Sequence, residues 1–268
     1  MKMCAYIFTF LFFYFPFKSI SQEISRIESL QSLYVEVYKD NQKLGSATGF
    51  IIRSKTQNYL VTNYHVLTLK NPFTNQFIDT IRKISPNKIK IMQHGKVLGK
   101  YQITIEPLFD EKGNRLWHEN KFNNNTIDVV ELPLKDTNNI IIYPVSYKSI
   151  YDSDLILRPT DRVFILGFPL SLHSEPFLPI WKSGLLASEP DINQDGLPIT
   201  FVDEITYDGM SGSPVYYISD KIISHGNLME FSDLVSIFVG VFSAQQIDNV
   251  FGILWKGKFL QAIFDKLP

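Results

Sequence analysis

Asn58-Tyr-Leu-Val-Thr-Asn-Tyr-His-Val-Leu67 begins as a short run of β-branched and aromatic residues and ends at a histidine, where a strand gives way to a loop. Working outward from it, Leu33-Tyr-Val-Glu-Val-Tyr38 and Gly49-Phe-Ile-Ile-Arg53 repeat the same grammar upstream, separated by the turn-forming pieces 39–42 and 54–57. Downstream it recurs at 88–92, 100–105, 127–132, 162–166, 214–218 and 234–242. Many short strands with no helical rhythm between them predict an all-β barrel or sandwich. Only the tail reads as a helix, with apolar residues at 259, 260, 263, 264 and 267. Residues 22–33 read as a short helix or an arm. The stretch from about 134 to 160, with Pro144 and Pro159 and weak strand signals, reads as the join between two β halves.

The first 21 residues stand apart. Lys2 precedes an apolar run, Ala5 to Phe17, which is followed by small and polar residues, and cleavage before Gln22 fits the pattern of a secretory signal peptide. About 13 residues containing Pro16 fall short of the roughly 20 that a helix needs to cross a bilayer, so an uncleaved anchor is the weaker reading. The expected location is therefore secreted or periplasmic, with no stable membrane span after cleavage. Removing this segment leaves 247 residues and takes away Cys4, the single cysteine, so the mature chain holds itself together by its core and not by disulfides. The formal charge moves from −1 to about −3, with no long basic stretch, which excludes a nucleic-acid partner as the expectation. No internal repeat is apparent.

Three polar residues carry chemistry. Asp208-Gly-Met-Ser-Gly-Ser-Pro-Val215 sets glycines on both sides of Ser211, so the backbone can turn sharply and the N–H groups of Gly209 and Ser211 can point together at a developing oxyanion. Composition alone also fits a Gly/Ser/Pro turn. His65 follows a well-formed apolar strand, unlike His94, His118, His173 and His225, and is the candidate base. Asp128, in Thr126-Ile-Asp-Val-Val-Glu-Leu-Pro133, is read as opening a strand of apolar positions. A carboxylate there is costly unless it is hydrogen-bonded, and an imidazole N–H would satisfy it. A strand-end turn residue is the plainer alternative.

With these residues in hand, the chain resembles the trypsin-like serine peptidases, particularly their bacterial, disulfide-free members. Thr62-Asn-Tyr-His65 is similar to the family's histidine motif, Ile127-Asp-Val-Val130 to its aspartate motif, and Asp208-Gly-Met-Ser-Gly-Ser-Pro214 to its serine motif; the order matches, with separations of 63 and 83 residues. The resemblance extends from about 33 to 265 and implies two antiparallel six-stranded β-barrels, at about 33–140 and 155–255, with the site between them and a C-terminal helix at about 256–267. It implies a serine endopeptidase acting on protein or peptide substrates without a cofactor or metal, through His65, Asp128 and Ser211, with Gly209 and Ser211 forming the oxyanion hole. It also makes Ser243 the expected partner of the Asp128 carboxylate. Two departures stand out. Met210 replaces the aspartate that pairs with a freshly cut N-terminus in the animal digestive enzymes, so that form of activation cannot operate, and Ser213 replaces a glycine.

The same resemblance implies a substrate pocket lined by Ile205, Thr206, Ser243, Gln245 and Gly252, and Ile205, where the tryptic members carry an aspartate, argues against a strong preference for Arg or Lys. The competing functions are a catalytically inactive peptidase fold that binds peptides or a protein, and a hydrolase of another acyl group. Asp191-Ile-Asn-Gln-Asp-Gly196 matches half of a calcium loop, but Val202 stands where its bidentate Glu belongs, so a polar hairpin turn is preferred.

Overall fold

The computed structural model describes residues 24, 26–97, 99–135, 137, 139–148, 155–175, 177–224, 226–247 and 251–268, without the side chains of 245–247. The proposed signal segment and His225 lie outside the described residues.

In the first half a short helix α1 (Glu28–Gln31) leads into β1 (Ser32–Lys39), β2 (Gln42–Ser54), β3 (Gln57–Thr62) and helix α2 (Tyr64–Thr68). Five further strands follow: β4 (Lys88–Gly95), β5 (Tyr101–Pro107), β6 (His118–Phe122), β7 (Asn125–Pro133) and the two-residue β8 (Ile140–Ile141). They pair antiparallel as an eight-stranded sheet in the order β5-β4-β1-β2-β3-β7-β6, with β8 on β4. The count is thus eight strands, not the expected six. Asn123 and Asn124 both take positive φ, 48° and 65°, which is the geometry a two-residue hairpin needs to match the strand twist; the asparagine run is the β6–β7 turn.

The second half is a closed six-stranded barrel of β9 (Arg162–Gly167), β10 (Ile180–Leu186), β11 (Ile199–Asp203), β12 (Pro214–Ser224), β13 (Asn227–Ile247) and β14 (Phe251–Lys256), joined in the order β10-β11-β14-β13-β12-β9. Helix α3 (Gly257–Phe264) follows. Every strand expected from the sequence is present. Among the strands it did not reveal, Ile180-Trp-Lys-Ser-Gly-Leu-Leu186 carries weak intrinsic β preference at its Lys-Ser-Gly centre and exists because neighbours on both sides complete its ladder.

Alternation along the strands sorts the apolar residues into three cores. Val35, Ala47, Ile51, Leu60 and Ile89 fill the first half, and Val163, Ile165, Val202, Val215 and Phe242 fill the barrel. The opposite faces of β2, β3 and β7 present Phe50, Ile52, Val61, Ile127 and Val129 to Leu166, Phe238, Val241 and Trp255 of the barrel and to Leu260 and Phe264 of α3. This third core fastens the two halves, each large side chain contributing about 1.5–3 kcal/mol from burial. The half-calcium sequence is a turn: Gln194 and Leu197 bridge, Asp195 and Gly196 take positive φ, and the Lys256 ammonium donates to Ile192 O (2.7 Å) and Asn193 Oδ1 (3.2 Å). The lysine thus engages Asn193, one of the side chains that a cation in such a loop would use. Among the described residues no helix is long and apolar enough to cross a membrane.

Candidate active site

His65 sits on α2, one helical turn starting directly after β3, rather than on an irregular loop. Asn63, fully buried ahead of that helix, donates its side-chain amide to the backbone carbonyl of Asp128 and so locks α2 onto β7. Asp128 lies inside β7, three residues from its start, where the sequence suggested the strand's opening. Its buried carboxylate accepts three hydrogen bonds: from His65 N to Oδ1 (3.0 Å), from His65 Nδ1 to Oδ2 (2.7 Å) and from Ser243 Oγ to Oδ2 (2.7 Å). An ionised carboxylate can only accept, so it fixes the imidazole proton on Nδ1. That leaves Nε2 as an acceptor, 2.8 Å from Ser211 Oγ. His65 and Asp128 come from the first half, Ser211 and Ser243 from the barrel, so the chain of contacts crosses the junction.

The serine loop is held from outside. Ile205 O accepts from Lys182 Nζ (2.7 Å), Tyr207 O from Met210 N (3.2 Å), Asp208 O from Leu170 N (2.6 Å), Gly209 O from Thr48 Oγ1 (2.7 Å) and Ser211 O from Thr48 N (2.9 Å). Met210 O accepts from both Ser213 N (3.1 Å) and Ser213 Oγ (2.7 Å). Among the described residues, the N–H groups of Gly209 and Ser211 have no protein acceptor. Gly209 (φ 94°) and Gly212 (φ 85°) are obligatory: a Cβ on the first would collide with the Phe168 carbonyl and on the second with the Thr48 carbonyl. Ser213 is accommodated because Gly167 opposite has no side chain; a Cβ there would overlap the Ser213 hydroxyl. Met210 is fully buried in the barrel core.

The residues assigned to the substrate pocket separate. Ile205 is 70% exposed. Ser243 is buried and its hydroxyl is committed to Asp128, so it serves the carboxylate and not an open wall. Thr206 and Gly252 do lie together, with the Phe242 ring against Gly252, where a Cβ would stand 2.6 Å from Cζ. The Gln245 side chain lies outside the described residues. Thr48, Asn63 and Lys182 were not anticipated; their role is to hold backbone, and only the buried polar Thr48 beside Gly49 in an apolar strand left a trace in the sequence.

Three residues beyond Asp128, Glu131 is fully buried. Burial pushes its carboxyl up to about 8, against the lowering effect of the Asn120 amide, which donates to both oxygens (3.1 and 2.8 Å). Burial likewise lowers the neighbouring His118.

No protein-family model matches the chain. A stretch of 105 residues is 31% identical to adenine phosphoribosyltransferase of Malacoplasma penetrans (strain HF-2); it takes in 38% of this chain and 61% of that protein, so the chain spans less than two thirds of that curated relative. Among solved structures, the serine endoprotease from Yersinia pestis is similar with a TM-score of 0.49 at 12% identity, over 91% of this chain and 67% of that one. The thermostable serine protease AL20 from an extremophilic microorganism gives 0.48 at 14% identity, over 90% and 97% of the two chains. The scabies mite inactivated protease paralogue S-I1 also gives 0.48 at 14% identity, over 90% and 96%.

Proposed function

We propose that this chain is an exported serine endopeptidase of the trypsin-like kind. The reading is carried by one observation, the continuous line Ser211 Oγ, His65 Nε2, His65 Nδ1, Asp128 Oδ2 with links of 2.8 and 2.7 Å across the junction of the halves. A neutral imidazole accepts the serine proton as Oγ attacks a peptide carbonyl, and the imidazolium then stands against the Asp128 carboxylate. The carbonyl oxygen becomes an oxyanion facing the two unengaged N–H groups of Gly209 and Ser211, each donor contributing roughly 3 kcal/mol at the transition state. The imidazolium returns its proton to the leaving amine, giving an acyl-enzyme on Ser211. Water, deprotonated by the same nitrogen, releases the acid. The buried Met210 has no charge to pair with a new N-terminus, so the protein acts without that kind of cleavage.

A fluorophosphonate probe and unfolded casein test this. The wild-type protein is expected to be labelled and to cleave casein, and Ser211→Ala to do neither. Equal labelling of both proteins would remove Ser211 from its role; labelling of neither at neutral and alkaline pH would leave an inactive peptide binder.

A further inference from the structure

The segment 204–208, which leads into Gly209, runs over the barrel surface without strand pairing, and Ile205, Tyr207 and Asp208 are exposed. Such a segment has no ladder to set its peptide planes. One side chain meets it at three places. Lys182, on β10 and largely covered, forms an ion pair with Glu204, donates to the Ile205 carbonyl at 2.7 Å and lies 4.3 Å from the centre of the Tyr207 ring. The next link is the Tyr207 carbonyl, which accepts Met210 N–H at 3.2 Å. Met210 N–H is engaged in that way, Leu170 N and Thr48 Oγ1 take the carbonyls of Asp208 and Gly209, and among the described residues the Gly209 N–H between them has no protein acceptor.

We infer that Lys182 is a positioning residue for the oxyanion loop: its ammonium sets segment 204–207 so that the Gly209 N–H is presented to the oxyanion, a constitutive internal tether in a chain whose buried Met210 supplies no charge of its own. The inference rests on the peptidase reading. Lysine suits the task because a compact ammonium offers three donors and a cation to carboxylate, carbonyl and ring together. The ion pair is mostly shielded from solvent, so it is screened less by salt than a surface pair.

If the inference holds, Lys182→Met acts on the chemical step and not on binding. Because the oxyanion is formed in the transition state, the limiting rate of fluorophosphonate labelling is expected to fall about 10- to 100-fold, with the probe's half-saturation concentration within about twofold of wild type. The casein rate should fall by the same factor, and Lys182→Arg, which keeps the charge, should recover most of the loss. Glu204→Gln, which leaves the carbonyl and ring contacts in place, should show a smaller fall of the same kind and serves if Lys182→Met does not fold. An unchanged limiting rate in Lys182→Met, or a weakened half-saturation at unchanged limiting rate, overturns the inference while wild-type labelling at Ser211 leaves the peptidase reading standing. Absence of wild-type labelling removes both.

Discussion

The two β halves are built in different ways and contribute different groups to the site. The first is a ladder with two ends, β5 and β6, and β5 carries Ile103 and Ile105 in exposed positions; the second is a ring of six strands without a free edge. His65 and Asp128 both belong to the ladder, where they are joined twice, through the ring nitrogen and through the backbone N–H, and where Asn63 adds a third tie. Ser211 belongs to the ring and reaches His65 through a single hydrogen bond across the junction. The histidine–aspartate pair is therefore local to one half, whereas the serine is placed only as well as the halves are docked. Thr48 has a special position in this respect, since it lies on β2 of the ladder and holds Gly209, Ser211 and Phe168 of the ring at once.

Breaking the local pair should have the largest effect. Asp128→Asn keeps the shape but can donate to His65 and so favours the wrong tautomer; kcat on casein or an ester is expected to fall about 10⁴-fold with little change in thermal stability. Loosening the junction should cost less. Thr48→Val removes the hydroxyl that receives Phe168 N–H and donates to Gly209 O, while leaving the backbone bond to Ser211. Net destabilisation of about 1–3 kcal/mol in urea denaturation and a fall of about 10- to 100-fold in kcat are expected. A stability loss with unchanged kcat would show that Thr48 joins the halves without shaping the loop.

The smallest effect sharpens the picture of the ladder alone. Glu131 is neutral when buried and titrates at about 8 in the fold, against 4.5 when exposed in the unfolded chain. Between those values the unfolded state has lost a proton that the folded state keeps, so stability declines as pH rises from about 4.5 to 8 and is flat below that window. Glu131→Gln retains a polar group for Asn120 without the titration. Its unfolding free energy should show a shallower slope over this range, and it should overtake wild type at alkaline pH. An unchanged slope would mean that another group sets it.

Much of this was legible in the sequence because it depends on local chemistry. Strand periodicity located the runs around residues 33–38, 49–53 and 127–132, and Gly209 and Gly212 mark a backbone that no other residue can follow. Strand β10 was hidden because its Lys-Ser-Gly centre carries little intrinsic preference and long-range pairing with β9 and β11 makes it a strand. Spacing along a chain does not say which way a side chain turns, and the Ser243 hydroxyl, read as pocket lining as well as a carboxylate partner, turns to Asp128. The sequence by itself determined the all-β class, the glycine-flanked serine and the three polar residues of the site, since each follows from local periodicity, conformational freedom or the cost of a lone carboxylate. Only the tertiary structure decided the eight-stranded ladder, the tie of Asn63 to the Asp128 carbonyl, and the hold of Thr48 and Lys182 on the serine loop. The side-chain contacts among these join residues more than twenty positions apart, and their geometry is set by how the two halves and their strands pack.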